Sequence, residues 1–167
     1  MDEAAKKTAL RMIPYGIYVL TARAADGSVA AATVNWVTQT SFKPPLIAVA
    51  VKADSGAHAI VKLSRAFALN VLGKGQQKLA FAFFKPAILE GGKISGEAFR
   101  AGTTGAPVLE NAVAFVECRV VNAVEGGDHT VFVAEVVEAG VAKPPDARAD
   151  DATLWMKDLG DNVFYGG

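Results

Sequence analysis

One cysteine, Cys118, and two histidines, His58 and His129, are all that 167 residues provide of the side chains that most often ligate transition metals. A lone cysteine excludes an intramolecular disulfide and any zinc site built on cysteines. Charge of one sign is missing too. Lys plus Arg and Asp plus Glu stand at 17 each, and without a basic excess the chain lacks the electrostatic footprint of a nucleic-acid binder or of a protein held on an acidic membrane. No apolar run approaches the roughly 20 residues of a membrane span. There are no repeats or low-complexity tracts, and the start MDEAAKK lacks the apolar stretch of a secretory signal. The expectation is a cytoplasmic protein that uses neither metal nor nucleic acid nor membrane. Catalytic signatures are as scarce. HExxH, GxSxG and a P-loop are absent, and Gly73-Lys74-Gly75 lacks the third glycine of GxGxxG and the acidic residue that should follow it, so it is no dinucleotide fingerprint. The protein's own side chains suggest no reaction.

What is present is an apolar chain punctuated by glycine: 51% of residues are hydrophobic and 16 are glycine. At this length that suffices for one domain, residues 1–167, with a sizeable core. Asp2 followed by EAAKKTALRMI reads as a short capped helix ending before Pro14 and Gly16, an edge or lid element. A strand over 16–22 and another from about Val29 flank the hairpin signal Asp26-Gly27. Along the second strand Ala30, Ala32, Val34 and Trp36 share one face, and Ala31, Thr33, Asn35 and Val37 share the other. The polar run Thr38-Gln39-Thr40-Ser41 then leaves the strand, and Pro44-Pro45 keeps the backbone extended. This stretch reads either as the wall of a ligand site or as an amphipathic surface strand ending in a loop.

Further along, 46–51 is a strand, and Asp54-Ser55 caps a helix whose Ile60, Val61 and Leu63 turn inward. Residues 66–72 form a strand, and a second helix follows with apolar positions at Leu79, Phe81, Phe83 and Phe84. Glycines break up 85–105, a long excursion of the kind that serves as a lid or partner contact. Strands over 113–124 and 130–141 make a hairpin around the turn 125–129. On the first, Ala114, Val116, Cys118 and Val120 oppose Phe115, Glu117 and Arg119; the second is apolar on both faces and needs a second surface to bury against. Cys118 reads as a packing residue. The tail TLWMKDLGDNVFYGG carries enough aromatic area to dock. Six strands with short connections and few helices predict an all-β fold with short helices, an antiparallel closed or partly closed barrel.

Taken together, GIYVLTA with its Asp-Gly turn, ATVNWVTQTSFKPPLIAV, SGAHAIVKLSRAFALNVL, GQQKLAFAF, TGAPVLENAVAFVECRVV and GDHTVFVAEVVEAG resemble the flavin reductase-like, FMN-binding split-barrel family over residues 15–140. The resemblance implies an antiparallel Greek-key split β-barrel that works as a homodimer. It implies FMN, or FAD, reduced by NADH or NADPH, with electrons passing to free flavin, a monooxygenase or an electron-transfer protein. Two departures stand out: Asn35-Trp36 replaces small hydroxyl residues, and the connection 84–105 lacks an Asp-Lys-Phe segment. Carried onto matching positions, the flavin ring and ribityl chain lie along Thr33, Asn35, Trp36, Val37 and Thr38, with Ser41 offering polar contacts and Gln76 a further polar group. Trp36 reads equally as core.

A flavin phosphate needs donors and positive charge, and Lys52 with Ser55 at a helix N-terminus supply both; the other reading is a solvated lysine and an ordinary cap. His58 reads as structural, with its nearness to Ser55 leaving a phosphate role open. His129, in the rigid turn Gly126-Gly127-Asp128-His129-Thr130, is the catalytic candidate, seating the nicotinamide amide or the flavin's developing charge; alternatively it satisfies turn backbone. The leading expectation is an NAD(P)H:flavin oxidoreductase. The alternatives are a bound-flavin electron carrier with a rubredoxin-like or flavodiiron partner, and a flavin-binding barrel without turnover.

Overall fold

Strand order explains the shape of the molecule. In a computed structural model, which describes residues 1–166, the strands are β1 (Tyr18–Arg23), β2 (Val29–Val34), β3 (Val37–Ser41), β4 (Leu46–Lys52), β5 (Ala66–Val71), β6 (Leu89–Glu90), β7 (Lys93–Ile94), β8 (Phe99–Ala101), β9 (Pro107–Leu109), β10 (Ala114–Glu125) and β11 (His129–Val141). Seven of them form one antiparallel sheet in the order β2-β1-β5-β10-β11-β4-β3. Its edge strands, β2 and β3, are consecutive in the chain. Laid flat, six strand spacings of about 4.8 Å would hold those edges about 29 Å apart. The link from Val34 to Val37 spans at most about 11 Å. The sheet is therefore rolled, and its seam is crossed by the chain at Asn35-Trp36 instead of by a ladder, which makes it a split barrel.

That seam corrects one expectation. Thr38-Gln39-Thr40-Ser41 do not leave a strand; with Val37 they are β3, paired with β4. The Val37 amide turns back to the Asn35 carbonyl at 3.0 Å, and the Ala50 amide takes the Trp36 carbonyl at 3.0 Å. At this corner the chain exchanges its β1 ladder for one with β4. The turn over 42–45 that follows contains a cis Lys43–Pro44 bond.

The barrel interior holds Leu20, Val49, Val51, Phe67, Cys118 and Phe132. A second core lies outside the wall, where Ile17, Val19, Leu72, Phe83, Ile94, Leu109 and Leu154 meet. Helix α1 (Glu3–Arg11) is capped by Asp2, whose carboxylate accepts from the Ala4 and Ala5 amides, and it buries nothing. Helix α2 (Gly56–Ser64) buries Ala57, His58 and Val61 against the β1 and β2 side of the barrel. Leu63, expected inward, is 71% exposed: it follows Val61 by two, about 200° around the helix, whereas His58 precedes Val61 by three and shares its face. Helix α3 (Gln77–Ala82) buries Leu79 and Ala80, and Phe83 just beyond it is buried as well; Phe81 and Phe84 stay half in solvent. The excursion 85–105 carries two short ribbons, β6–β7 and part of β8–β9.

Glu117 points away from Cys118, as strand alternation requires, but its face is not solvent. The loop over 102–106 covers it completely. Its carboxylate accepts from the Thr103 amide (2.9 Å), the Thr104 amide (2.8 Å) and the Thr104 hydroxyl (2.7 Å). Burial raises the Glu117 pKa, yet these hydrogen bonds and the Arg100 charge outweigh burial and hold it below the ordinary value. A Cβ on Gly102 would lie 2.3 Å from that carboxylate, so only glycine fits. The tail docks as expected: Ile17 donates to Leu154 (2.7 Å) and Leu154 donates to Leu72 (2.8 Å). It includes α4 (Ala149–Ala152) and a 3-10 turn at Met156–Leu159.

Candidate functional site

A cavity of about 280 Å³ opens at the barrel seam, walled by Thr33 and Asn35 from the β2 edge, Lys52 and Ser55 from the β4–α2 corner, and Phe83 and Tyr165. The lining is mainly apolar, with Lys52 and Ser55 as its polar groups at the α2 end. Asn35 is buried, and its side-chain amide donates to the Tyr165 carbonyl at 3.3 Å. The Thr33 hydroxyl is occupied by α3, donating to the Ala80 carbonyl at 2.6 Å.

Ser55 caps α2 with its hydroxyl, which accepts from the His58 amide (3.1 Å) and donates to the Lys52 carbonyl (2.7 Å). The cap leaves the first amides of the helix without intrahelical partners, and the helix dipole favours an anion beside them. Lys52 is at the same corner, 3.1 Å from Asp54 in an exposed pair. His58 is buried and directed into the protein, its Nε2 2.9 Å from the Thr130 hydroxyl and its ring against Phe132. This arrangement supports the structural reading of His58.

The β11–β4 register pairs His129 with Lys52 on the neighbouring strand. Its imidazole is 11% exposed and held at both nitrogens: Nδ1 is 2.8 Å from Asp128 and Nε2 is 2.7 Å from the Tyr165 hydroxyl. The hydrogen bond from His129, and then its charge, hold the Asp128 carboxyl below its ordinary pKa. Desolvation raises the Tyr165 phenol. Trp36 completes the group, with its ring centroid 4.6 Å from His129 and 5.4 Å from Tyr165. Among the described residues, the Trp36 indole Nε1 is the buried side-chain polar atom without a hydrogen-bond partner.

The structure thus brings together Asn35, Trp36, Lys52, Ser55 and His129, and places Thr33 in the same cavity wall. Val37, Thr38 and Ser41 run along the edge strand β3, away from that wall. Gln76 is elsewhere: its Oε1 accepts from the Gly73 amide (2.8 Å) and its Nε2 donates to the Asn111 carbonyl (2.7 Å), so both ends tie a loop down. The sequence reading missed Tyr165, whose contact to Asn35 crosses 130 residues of the chain and whose contact to His129 crosses 36. The signal available was an aromatic pair, Phe164-Tyr165, closing a polar tail.

Comparison with known proteins defines the class of this fold and site. A family model described as Flavin reductase like domain matches residues 10–158, and the chain belongs to that family. It is 37% identical over 139 residues, 83% of this chain and 72% of the relative, to the reductase component of a 4-nitrophenol 4-monooxygenase/4-nitrocatechol 2-monooxygenase of Rhodococcus opacus. It is 31% identical over 137 residues, 81% of its own length, to Diflavin flavoprotein A 1 of a Synechocystis strain, but spans only 24% of that longer protein. Among solved structures, an NADH:FAD oxidoreductase of Streptomyces globisporus in complex with NAD and FAD fragments superposes with a TM-score of 0.67 at 32% identity, covering 77% of this chain and 76% of that one. No helix among the described residues is long and apolar enough to cross a membrane. No group of three or more His, Cys, Asp or Glu among them is placed to hold a metal ion.

Proposed function

We propose that this chain is an NAD(P)H-dependent flavin reductase whose flavin is held at the barrel seam. The observation that carries the reading is the buried Trp36 Nε1 beside His129, a donor with no hydrogen-bond partner among the described residues. A buried donor without a partner is costly, and a carbonyl-rich planar ligand would satisfy it. The surroundings fit such a ligand: a mainly apolar cavity, buried Asn35, and Lys52 beside the open N-terminus of α2 for a phosphate. Val37, Thr38 and Ser41 lie on the edge strand β3, away from that cavity wall, and do not hold the flavin in this reading. Gln76 has no part in binding in this reading.

Bound flavin supplies a two-electron acceptor, so the site needs no nucleophile or metal of its own. The protein's work is orientation. Asp128 fixes the imidazole through Nδ1, which leaves Nε2 available to a ligand amide when Tyr165 is not on it, and Trp36 packs against the imidazole. FMN, with FAD as the alternative, and NADH or NADPH complete the reaction, and a monooxygenase partner is the acceptor suggested by the Rhodococcus relative. The likeness to part of a diflavin protein supports a second reading, the same barrel as an electron-transfer module fed by a protein.

The functional unit in this proposal is a homodimer of a single domain spanning 1–167, working in the cytoplasm where reduced nicotinamide nucleotide is supplied. Exposed Val121, Val124, Val137 and Val141 on the β10–β11 hairpin support the dimer, because apolar area of this kind is what obligate interfaces cover. The test is spectroscopic. Protein loaded with FMN and given NADH or NADPH without oxygen should bleach within seconds. Oxidised flavin that persists until a reduced iron–sulfur protein is added would favour the second reading, and no flavin affinity at micromolar concentration would end both.

A further inference from the structure

The C-terminal segment over 163–166 does more than dock. Its end lies across the mouth of the cavity, where Tyr165 places its ring against Trp36 and its hydroxyl on His129 Nε2. Asp128 fixes which nitrogen is which. With the carboxylate accepting the Nδ1 proton at 2.8 Å, Nε2 is left as an acceptor and the phenol donates to it. Any planar ring bearing one donor group could make the same pair of contacts. Among the described residues the segment is held otherwise by few ties: Val163 donates to the Gly160 carbonyl (3.0 Å) and packs on the second core, Asn35 donates to the Tyr165 carbonyl (3.3 Å), Arg11 Nε donates to the Gly166 carbonyl (3.4 Å), and the Arg11 guanidinium lies 4.1 Å above the Phe164 ring. Phe164 is 52% exposed and Tyr165 46%. An element held by few contacts and partly in water is the kind that opens locally at small cost.

Resting on the reading of the site given above, we propose that Tyr165 is an intramolecular stand-in for the nicotinamide ring, occupying the ledge between Trp36 and His129 until a nicotinamide nucleotide displaces it. The chemistry matches at each contact. Phenol and nicotinamide are planar six-membered rings able to stack on the indole. The carboxamide NH₂, like the phenol hydroxyl, donates to Nε2. Tyr165 therefore sets the apparent affinity for the second substrate: the ledge is available only in the fraction of molecules whose tail is free, and affinity falls by that fraction. A tail docked roughly ten times as often as it is free weakens binding about tenfold.

The sign of the effect separates this role from that of an ordinary contact residue. With FMN-loaded protein and oxidised NAD⁺ as the probe, Tyr165→Ala should bind about tenfold more tightly than the parent. Tyr165→Phe, which keeps the ring and loses the hydroxyl, should lie between them. Weaker or unchanged binding in Tyr165→Ala overturns the proposal, as does a failure of both proteins to bind NAD⁺ at millimolar concentration. A second readout uses 3-fluorotyrosine with the ¹⁹F signal of position 165 assigned by Tyr165→Phe: saturating NAD⁺ should move it to the position of a free tail, and an unmoved signal contradicts displacement. If NADH fails to bleach the loaded parent protein, the proposed function fails; bleaching with NAD⁺ affinity unaltered by Tyr165→Ala removes only the stand-in.

Discussion

Reversing one charge at the α2 corner tests where the phosphate goes. Lys52 lies beside the open N-terminus of α2, and its side chain is 53% exposed in a 3.1 Å pair with Asp54. A pair of unit charges about 4 Å apart is worth roughly 1 kcal/mol in bulk water and roughly 4 kcal/mol at an effective dielectric constant of 20. Half exposure places Lys52 toward the lower end, and Lys52→Glu exchanges an attraction for a repulsion. The expected cost to FMN binding is about 2 kcal/mol, near thirtyfold in dissociation constant. Riboflavin, which has the same ring and ribityl chain without the phosphate, should lose no more than about twofold by the same reasoning. Lys52→Met removes the attraction alone and should cost FMN about 1 kcal/mol, near fivefold. The assay is quenching of flavin fluorescence on titration with protein, at low salt and at 1 M, where screening should narrow the gap between the two ligands. Equal losses for FMN and riboflavin, or a gap indifferent to salt, would refute the placement of the phosphate at this corner.

Other expectations follow from the same structure. Glu117→Gln should destabilise the fold by about 1–3 kcal/mol in chemical denaturation, because an amide nitrogen would face donors that now meet carboxylate oxygens. Since the Glu117 pKa lies below the ordinary 4.5, its stabilisation is complete above that value and is lost as pH falls through the lower folded value; the glutamine variant should lack this component of acid sensitivity, and an identical pH profile would contradict it. Cys118, pushed up to about 12 by burial and then by the neighbouring Glu117 charge, should resist iodoacetamide at pH 8 in folded protein and react on unfolding; rapid labelling of native protein would count against its burial. Sedimentation at micromolar concentration should show a dimer, and Val124→Glu should weaken it; a monomer with flavin bound would contradict the proposed interface.

The parts legible in the sequence are those determined by neighbours along the chain. Asp2 and Ser55 cap their helices as their types predict, Asp26-Gly27 closes its hairpin, and the alternation of β10 puts Cys118 in the barrel and Glu117 on the other side. What stayed hidden depends on residues far apart. The apolar-polar alternation runs unbroken through Asn35-Trp36, so nothing local reveals that the chain changes partners there; the exchange is imposed by β1 and β4, which lie on opposite sides of the seam. The polar character of Thr38–Ser41 looked like loop but belongs to an edge strand, where exposed polar side chains are expected. Gln76 matched a motif position, and its side chain serves Gly73 and Asn111 instead. Tyr165 reaches Asn35 and His129 only because the tail first docks on Ile17 and Leu72, contacts that no periodicity encodes.

The central claim is that this seam orients a nicotinamide against a flavin through His129. Its most direct test is anaerobic stopped-flow bleaching of the FMN-loaded protein by saturating NADH, unlabelled and deuterated at C4, in the parent and in His129→Ala. The account predicts a primary isotope effect in both, unchanged flavin content, and a limiting rate about ten- to a hundredfold lower in the variant, roughly 1.4 to 2.7 kcal/mol of barrier. A limiting rate unchanged by His129→Ala, or a parent protein whose flavin NADH does not bleach, would contradict it.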